Sequence, residues 1–77
     1  MSAKEMFEKL GYRYMKTLSN KEHIVYRHTK SKGEIIFNLI FKGIENDYAI
    51  TLEELQAINK QVEELGWNER WNKRNIR

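Results

Sequence analysis

The stretch TLEELQAINKQVEELGW, residues 51–67, constrains the fold more than any other part of this chain. Thr51 followed three positions later by Glu54 is a capping-box pattern, and Ile50 and Leu55 stand where a hydrophobic staple closes. Leu52, Leu55, Ile58, Val62 and Leu65 then recur at spacings of three and four, which places them on one helical stripe. Gly66 supplies a residue that can end a helix in the left-handed conformation, and Trp67 is placed to fold back on Val62. The spacing therefore predicts a long helix with one apolar face to bury. Glu63 and Glu64 run against the pattern, because the negative end of the helix dipole disfavours anions. A basic group nearby is expected, with Arg70 or Lys73 placed to supply it.

The N-terminus repeats this grammar on a smaller scale. Ser2 and Glu5 form a second capping box, Met6, Phe7 and Leu10 are apolar, and Gly11–Tyr12 mirrors Gly66–Trp67. A helix over about Ala3 to Leu10 is too short to be stable alone, so it must dock on the rest. Between the helices the period changes to that of extended chain, interrupted by SNKE and KSKG. Strands are expected at Tyr12–Leu18, His23–Thr29 and Glu34–Phe41, joined as an antiparallel meander. In the third, Ile35, Phe37, Leu39 and Phe41 share one face and Ile36, Asn38 and Ile40 the other. A turn near Lys42 and Gly43 followed by a short fourth strand is the alternative. The fold class is α+β: a short N-terminal helix, a three- or four-stranded antiparallel sheet, and a long C-terminal helix on one sheet face.

A chain of 77 residues makes one domain with a thin core, because chains this short bury only about 60% of their unfolded surface. Residues 1–66 are read as the α+β domain and 67–77 as a basic, aromatic extension. Without cysteine there is no disulfide framework and no thiolate metal site, which fits a reducing cytoplasm. No apolar run is long enough for a membrane helix, and the N-terminus lacks the apolar core of a secretory signal.

His23 and His28 are five apart, so on one strand they face opposite ways and do not share a metal. Glu53 and Glu54 are accounted for by the helix start. No histidine, thiol or glycine-rich phosphate loop stands beside the remaining acids, so catalytic, cofactor and metal residues are assigned nowhere and no small-molecule substrate is inferred. Charge is distributed unevenly. Residues 1–66 hold ten basic and ten acidic side chains, and WNERWNKRNIR carries the whole net charge of +3. Within the domain, Lys9, Arg13, Lys16, Lys21, Arg27, Lys30 and Lys32 face only Glu22 in residues 9–32, while residues 45–64 hold six acids against Lys60. Arg13, Lys16, Arg27, Lys30, Lys32, Arg70, Trp71, Lys73, Arg74 and Arg77 are the candidate contacts to nucleic acid or another anionic partner, with Tyr12, Tyr14 or Tyr26 stacking on bases. Lysines on edge strands also block edge-to-edge pairing, which accounts for many of them without a ligand. The extension is read three ways: disordered, docked on the sheet through Trp71, or bound to an anion.

The order αβββα matches the double-stranded RNA-binding domain in topology. That family's basic patch would fall on Leu52, Glu53 and Glu54, however, and acids there oppose phosphate binding. A closer resemblance runs through MFEKLGY and TLEELQAINKQVEELGW, which look like the two ends of small proteins encoded by phages and prophages of Gram-positive bacteria. The resemblance implies a phage context and a compact domain in the cytoplasm of a bacterial host, without a reaction or a catalytic residue. The expected role is a non-enzymatic interaction domain, bound to a protein partner or to a second copy. Val25, Ile36 and Ile40, left on the uncovered sheet face, are the candidate self-association residues. Salt-dependent nucleic-acid binding through the basic strands and tail is the alternative.

Overall fold

Both helices begin at the capping boxes read from the sequence. The structure is a computed structural model describing residues 1–67, in which α1 spans Ala3–Lys9 and α2 spans Leu52–Glu64. Ser2 Oγ accepts from the Glu5 amide at 3.1 Å while Glu5 Oε1 accepts from the Ser2 amide at 2.8 Å. Thr51 and Glu54 make the same exchange at 3.1 and 2.9 Å. Each box satisfies two amides that have no partner within the helix. Gly66 ends α2 with φ 78°, and its amide donates to Glu63 O at 3.0 Å.

Four strands lie between the helices in one antiparallel sheet, ordered as in the sequence: β1 Tyr12–Tyr14, β2 His23–His28, β3 Glu34–Asn38 and β4 Gly43–Asn46. The fourth strand is present, so the order is αββββα and the parallel with the RNA-binding domain does not hold. Two strands stop earlier than their residue patterns suggest. After Tyr14 the chain turns, with the amides of Leu18 and Ser19 both donating to Met15 O, at 3.0 and 2.8 Å. After Asn38 it turns again, because Asn38 Oδ1 accepts from the amides of Ile40 and Phe41 at 3.0 and 2.8 Å. The apolar alternation continues through this turn, but the asparagine ends the strand.

The β2–β3 and β3–β4 turns are built alike. In HTKSKG, His28 Nδ1 accepts from the amides of Lys30 and Ser31 at 3.2 and 3.3 Å, the position Asn38 Oδ1 takes in NLIFKG. In each a lysine before the glycine is left-handed, Lys32 at φ 66° and Lys42 at φ 58°. For a residue with a Cβ that conformation costs roughly 1–2 kcal/mol.

Paired and alternate strand residues share a face, so Tyr12, Tyr14, Ile24, Tyr26, His28, Ile35, Phe37 and Ile44 point one way. Both helices cover that face. Its centre is Phe7 of α1, fully buried, stacked on Tyr26 at 4.1 Å and edge-on to Tyr12 and Phe37 at 5.6 and 6.2 Å. Trp67 packs beside Phe37. The short helix runs antiparallel to α2. The Ala3 amide donates to Glu64 Oε2 at 2.9 Å at one end, and Lys9 and Leu10 share a shallow groove with Glu53 and Gln56 at the other.

Because α1 fills the centre, α2 lays only part of its predicted stripe on the core: Ile58 is buried and Val62 and Leu65 pack against the cluster around Phe7. It turns Ala57, Ile58 and Gln61 inward, and Leu52 and Leu55 stand 67% and 45% exposed. Gln61 Oε1 accepts from the buried Tyr26 hydroxyl at 2.7 Å, so neither polar group is left without a partner. The late acids of α2 also find their compensation within the domain. Glu64 meets the positive end of α1, and Glu63 pairs with Lys60 at 3.0 Å. Arg70 and Lys73, expected in that role, lie outside the described residues.

Candidate functional site

The sheet face turned away from the helices is organised in cross-strand rows. Arg13, Arg27 and Glu34 form one, Val25, Ile36 and Glu45 the next, and His23, Asn38 and Gly43 the third. Arg13 and Arg27 are direct partners, and like charges so placed are unfavourable without a counter-charge. Glu34 neutralises Arg27, accepting from Nε at 2.8 Å and from a terminal guanidinium nitrogen. Among the described residues Arg13 has no ion pair. A groove of about 190 Å³ opens here, lined by Arg13, Met15, Arg27, His28, Thr29 and Lys32.

Three of the basic residues singled out in the sequence thus converge. Lys30 stands exposed in the same turn without lining the groove, and Lys16 lies beyond the far end of β1. Arg70, Trp71, Lys73, Arg74 and Arg77 lie outside the described residues. None of the three candidate tyrosines stands on this face, although Tyr14 is 37% exposed. Tyr12 and Tyr26 are buried under the helices, and Tyr14 is on the helix-covered face with the Lys4 ammonium 5.6 Å from its ring centre. Among the described strand residues, the open face carries no Phe, Tyr or Trp side chain.

Of the apolar residues expected on this face, Val25 and Ile36 lie on it and Ile40 does not. Val25 is only 5% exposed: the chain after β1 folds back along β2, and Ser19 Oγ accepts from the Val25 amide at 3.0 Å. Ile36 is half-buried between Val25 and Glu45. Ile40 is not on the strand at all. It stands 62% exposed in the β3–β4 turn beside Phe41, which is 82% exposed. Leu18, also exposed, is in the loop at the same end of the sheet, and the two loops are joined by the Leu39 amide donating to Glu22 O at 2.8 Å. Phe41 escaped the sequence reading because its spacing continued the strand; the recurrence of a lysine–glycine pair four and five residues after His28 and Asn38 was the available signal.

On the helix-covered side, a cleft of about 200 Å³ gathers Tyr12, His28, Asp47, Tyr48 and Glu54. Burial raises the pKa of the Tyr12 hydroxyl, and the 2.8 Å hydrogen bond it donates to Glu54 Oε2 raises it further. Burial also pushes the Glu54 carboxyl up, but hydrogen bonds from Thr51 and Tyr12 outweigh it and hold the group below its usual value. Asp47 Oδ2 accepts from the Glu34 amide at 2.9 Å, and His28 Nδ1 is engaged by its own turn. These polar atoms all hold the fold together. His23 and His28 do face opposite ways, and no three His, Asp or Glu among the described residues are disposed to hold a metal ion. None of the described helices is long and apolar enough to cross a membrane. Comparisons with family models, with curated proteins and with solved structures found no match.

Proposed function

We propose that this chain is a non-enzymatic interaction domain of phage or prophage origin, acting in the cytoplasm of a bacterial host by binding a protein. The surface that supports this is the end of the sheet bearing Leu18, Ile40 and Phe41. The carrying observation is Phe41, 82% exposed on a turn fixed by two hydrogen bonds to Asn38. A large apolar side chain held in solvent by a structured turn loses little freedom when a partner covers it, which favours binding. A second copy on the open sheet face is less well supported, because Val25 is buried and Ile36 is half-buried beside Glu45, between a charged row and a polar one. A role without catalysis is supported by the cleft, where Tyr12, Glu54, Asp47 and His28 Nδ1 are each committed to hydrogen bonds that hold the fold.

The test places a photo-crosslinking amino acid at position 41 and, as control, at Thr29 across the sheet, followed by illumination in the host. A discrete adduct confined to position 41, competed by unlabelled wild type and not by Phe41→Ser, is the expected result. Sedimentation of the purified chain distinguishes a second copy from a different protein. A monomer with no discrete adduct at position 41 would overturn the proposal.

A further inference from the structure

We propose that the groove on the open sheet face, where Arg13, Arg27 and Lys32 converge, binds the phosphate backbone of nucleic acid by charge and without reading bases. It is a surface separate from the hairpin tip. Arg13 and Arg27 are placed opposite one another, and the only carboxylate paired in the row goes to Arg27. An anion entering the groove supplies the counter-charge that Arg13 has not received within the described chain. Arginine forks suit this role, since they meet phosphate oxygens through two parallel hydrogen bonds, while lysine adds a point charge.

The partner's class follows from what surrounds these cations. A protein interface is held by desolvated apolar or aromatic anchors at its centre, whereas nucleic-acid interfaces are more polar and more basic. Here the groove's only aliphatic lining residue is Met15, and the strand rows beside it are charged or half-buried. Base stacking is carried by large exposed aromatic faces, and the described strand residues put no Phe, Tyr or Trp on the open face. Contact is therefore with the backbone, alike for single and double strands, and with the micromolar or weaker affinity usual for non-specific binding.

The two similar turns provide an internal control. Lys32 and Lys42 are both left-handed, both precede a glycine and both carry one positive charge, but only Lys32 lines the groove. Replacing either with glycine relieves the same backbone conformation, so neither variant should melt below wild type. The experiment titrates full-length wild type, Lys32→Gly, Lys42→Gly and Arg13→Gln against labelled single- and double-stranded 20-mers, over a range of salt. Lys32→Gly and Arg13→Gln are expected to weaken binding about five- to tenfold at low salt and to flatten the log K against log salt slope by about 1. Lys42→Gly changes binding less than about twofold, the residue being outside the groove. Because residues 68–77 are the same in every protein, their charges cancel in these comparisons.

Equal losses at Lys32 and Lys42, or no binding by wild type, would overturn the proposal. Much tighter binding of single strands would overturn its backbone-only character. A polyglutamate probe that loses affinity with Lys32→Gly, while neither nucleic acid binds, would assign the groove to an acidic protein segment instead.

Discussion

Glu64 stands in the last turn of α2, where its charge opposes that helix's own dipole, yet its carboxylate accepts from the Ala3 amide at 2.9 Å. One side chain therefore worsens the end of one helix and completes the start of another. The second effect should dominate, because α1 has only seven residues and cannot hold its first turn alone. Glu64→Gln is expected to destabilise by about 0.5–1 kcal/mol, or about 3–6 °C in a domain of this size, while Glu63→Gln changes little. Thermal melts by circular dichroism check this, and a Glu64→Gln protein melting above wild type would refute it. The partner sixty-one positions away could not be read from the sequence, since acids at a helix end announce a cost and not who relieves it. Their anomaly was legible; its resolution was tertiary.

At the level of elements, the two helices exchange the roles their lengths suggest. The short one places Phe7 at the centre of an aromatic cluster, and the long one lies alongside, with part of its leucine stripe in solvent. Phe7→Ala should cost about 3–5 kcal/mol, a large share of the stability of so small a domain. Leu55→Ala should cost less than about 1 kcal/mol, because that side chain is already largely exposed. Urea denaturation of the two variants tests the assignment, and equal losses would mean that the leucine stripe carries the packing after all. Helix starts were legible because a cap is local: Ser2 with Glu5 and Thr51 with Glu54 need only each other. The buried side of α2 was legible only at Ile58, Val62 and Leu65, since Ala57 is too small and Gln61 too polar to mark an apolar stripe. Tyr12 and Tyr26 were misleading as well, because a phenol suits a surface and is equally satisfied when buried beside Glu54 or Gln61. The basic groove was half legible. Charge marked Arg13, Arg27 and Lys32, but only strand register separates them from Lys16 and Lys30.

For the molecule as a whole, the titrating groups set a window of stability. Hydrogen bonds from Ser2 hold Glu5 below its ordinary 4.5, and Glu54 lies below 4.5 for the reasons given. Depressed carboxylates contribute stability above about pH 4.5, and it is lost as pH falls through their lowered values. Tyr12 and Tyr26 are shifted the other way, mainly by burial, so their contribution is complete below about pH 10 and declines above it. Melting temperature should be flat between these limits and fall outside them. Glu54→Gln should melt lower than wild type at neutral pH, with the gap closing in acid; a gap of constant size would show that the charge of Glu54 is not what matters. The contact between Ala3 and Glu64 also has a temporal meaning. During synthesis, Ala3 emerges sixty-one positions ahead of Glu64, the residue that completes the start of α1. At ribosomal rates of about 5–20 residues per second, that is a wait of roughly 3–12 seconds before the first turn of α1 is held by α2. Completion of α1 thus waits for α2, and until then the short helix is available to whatever chaperone meets it.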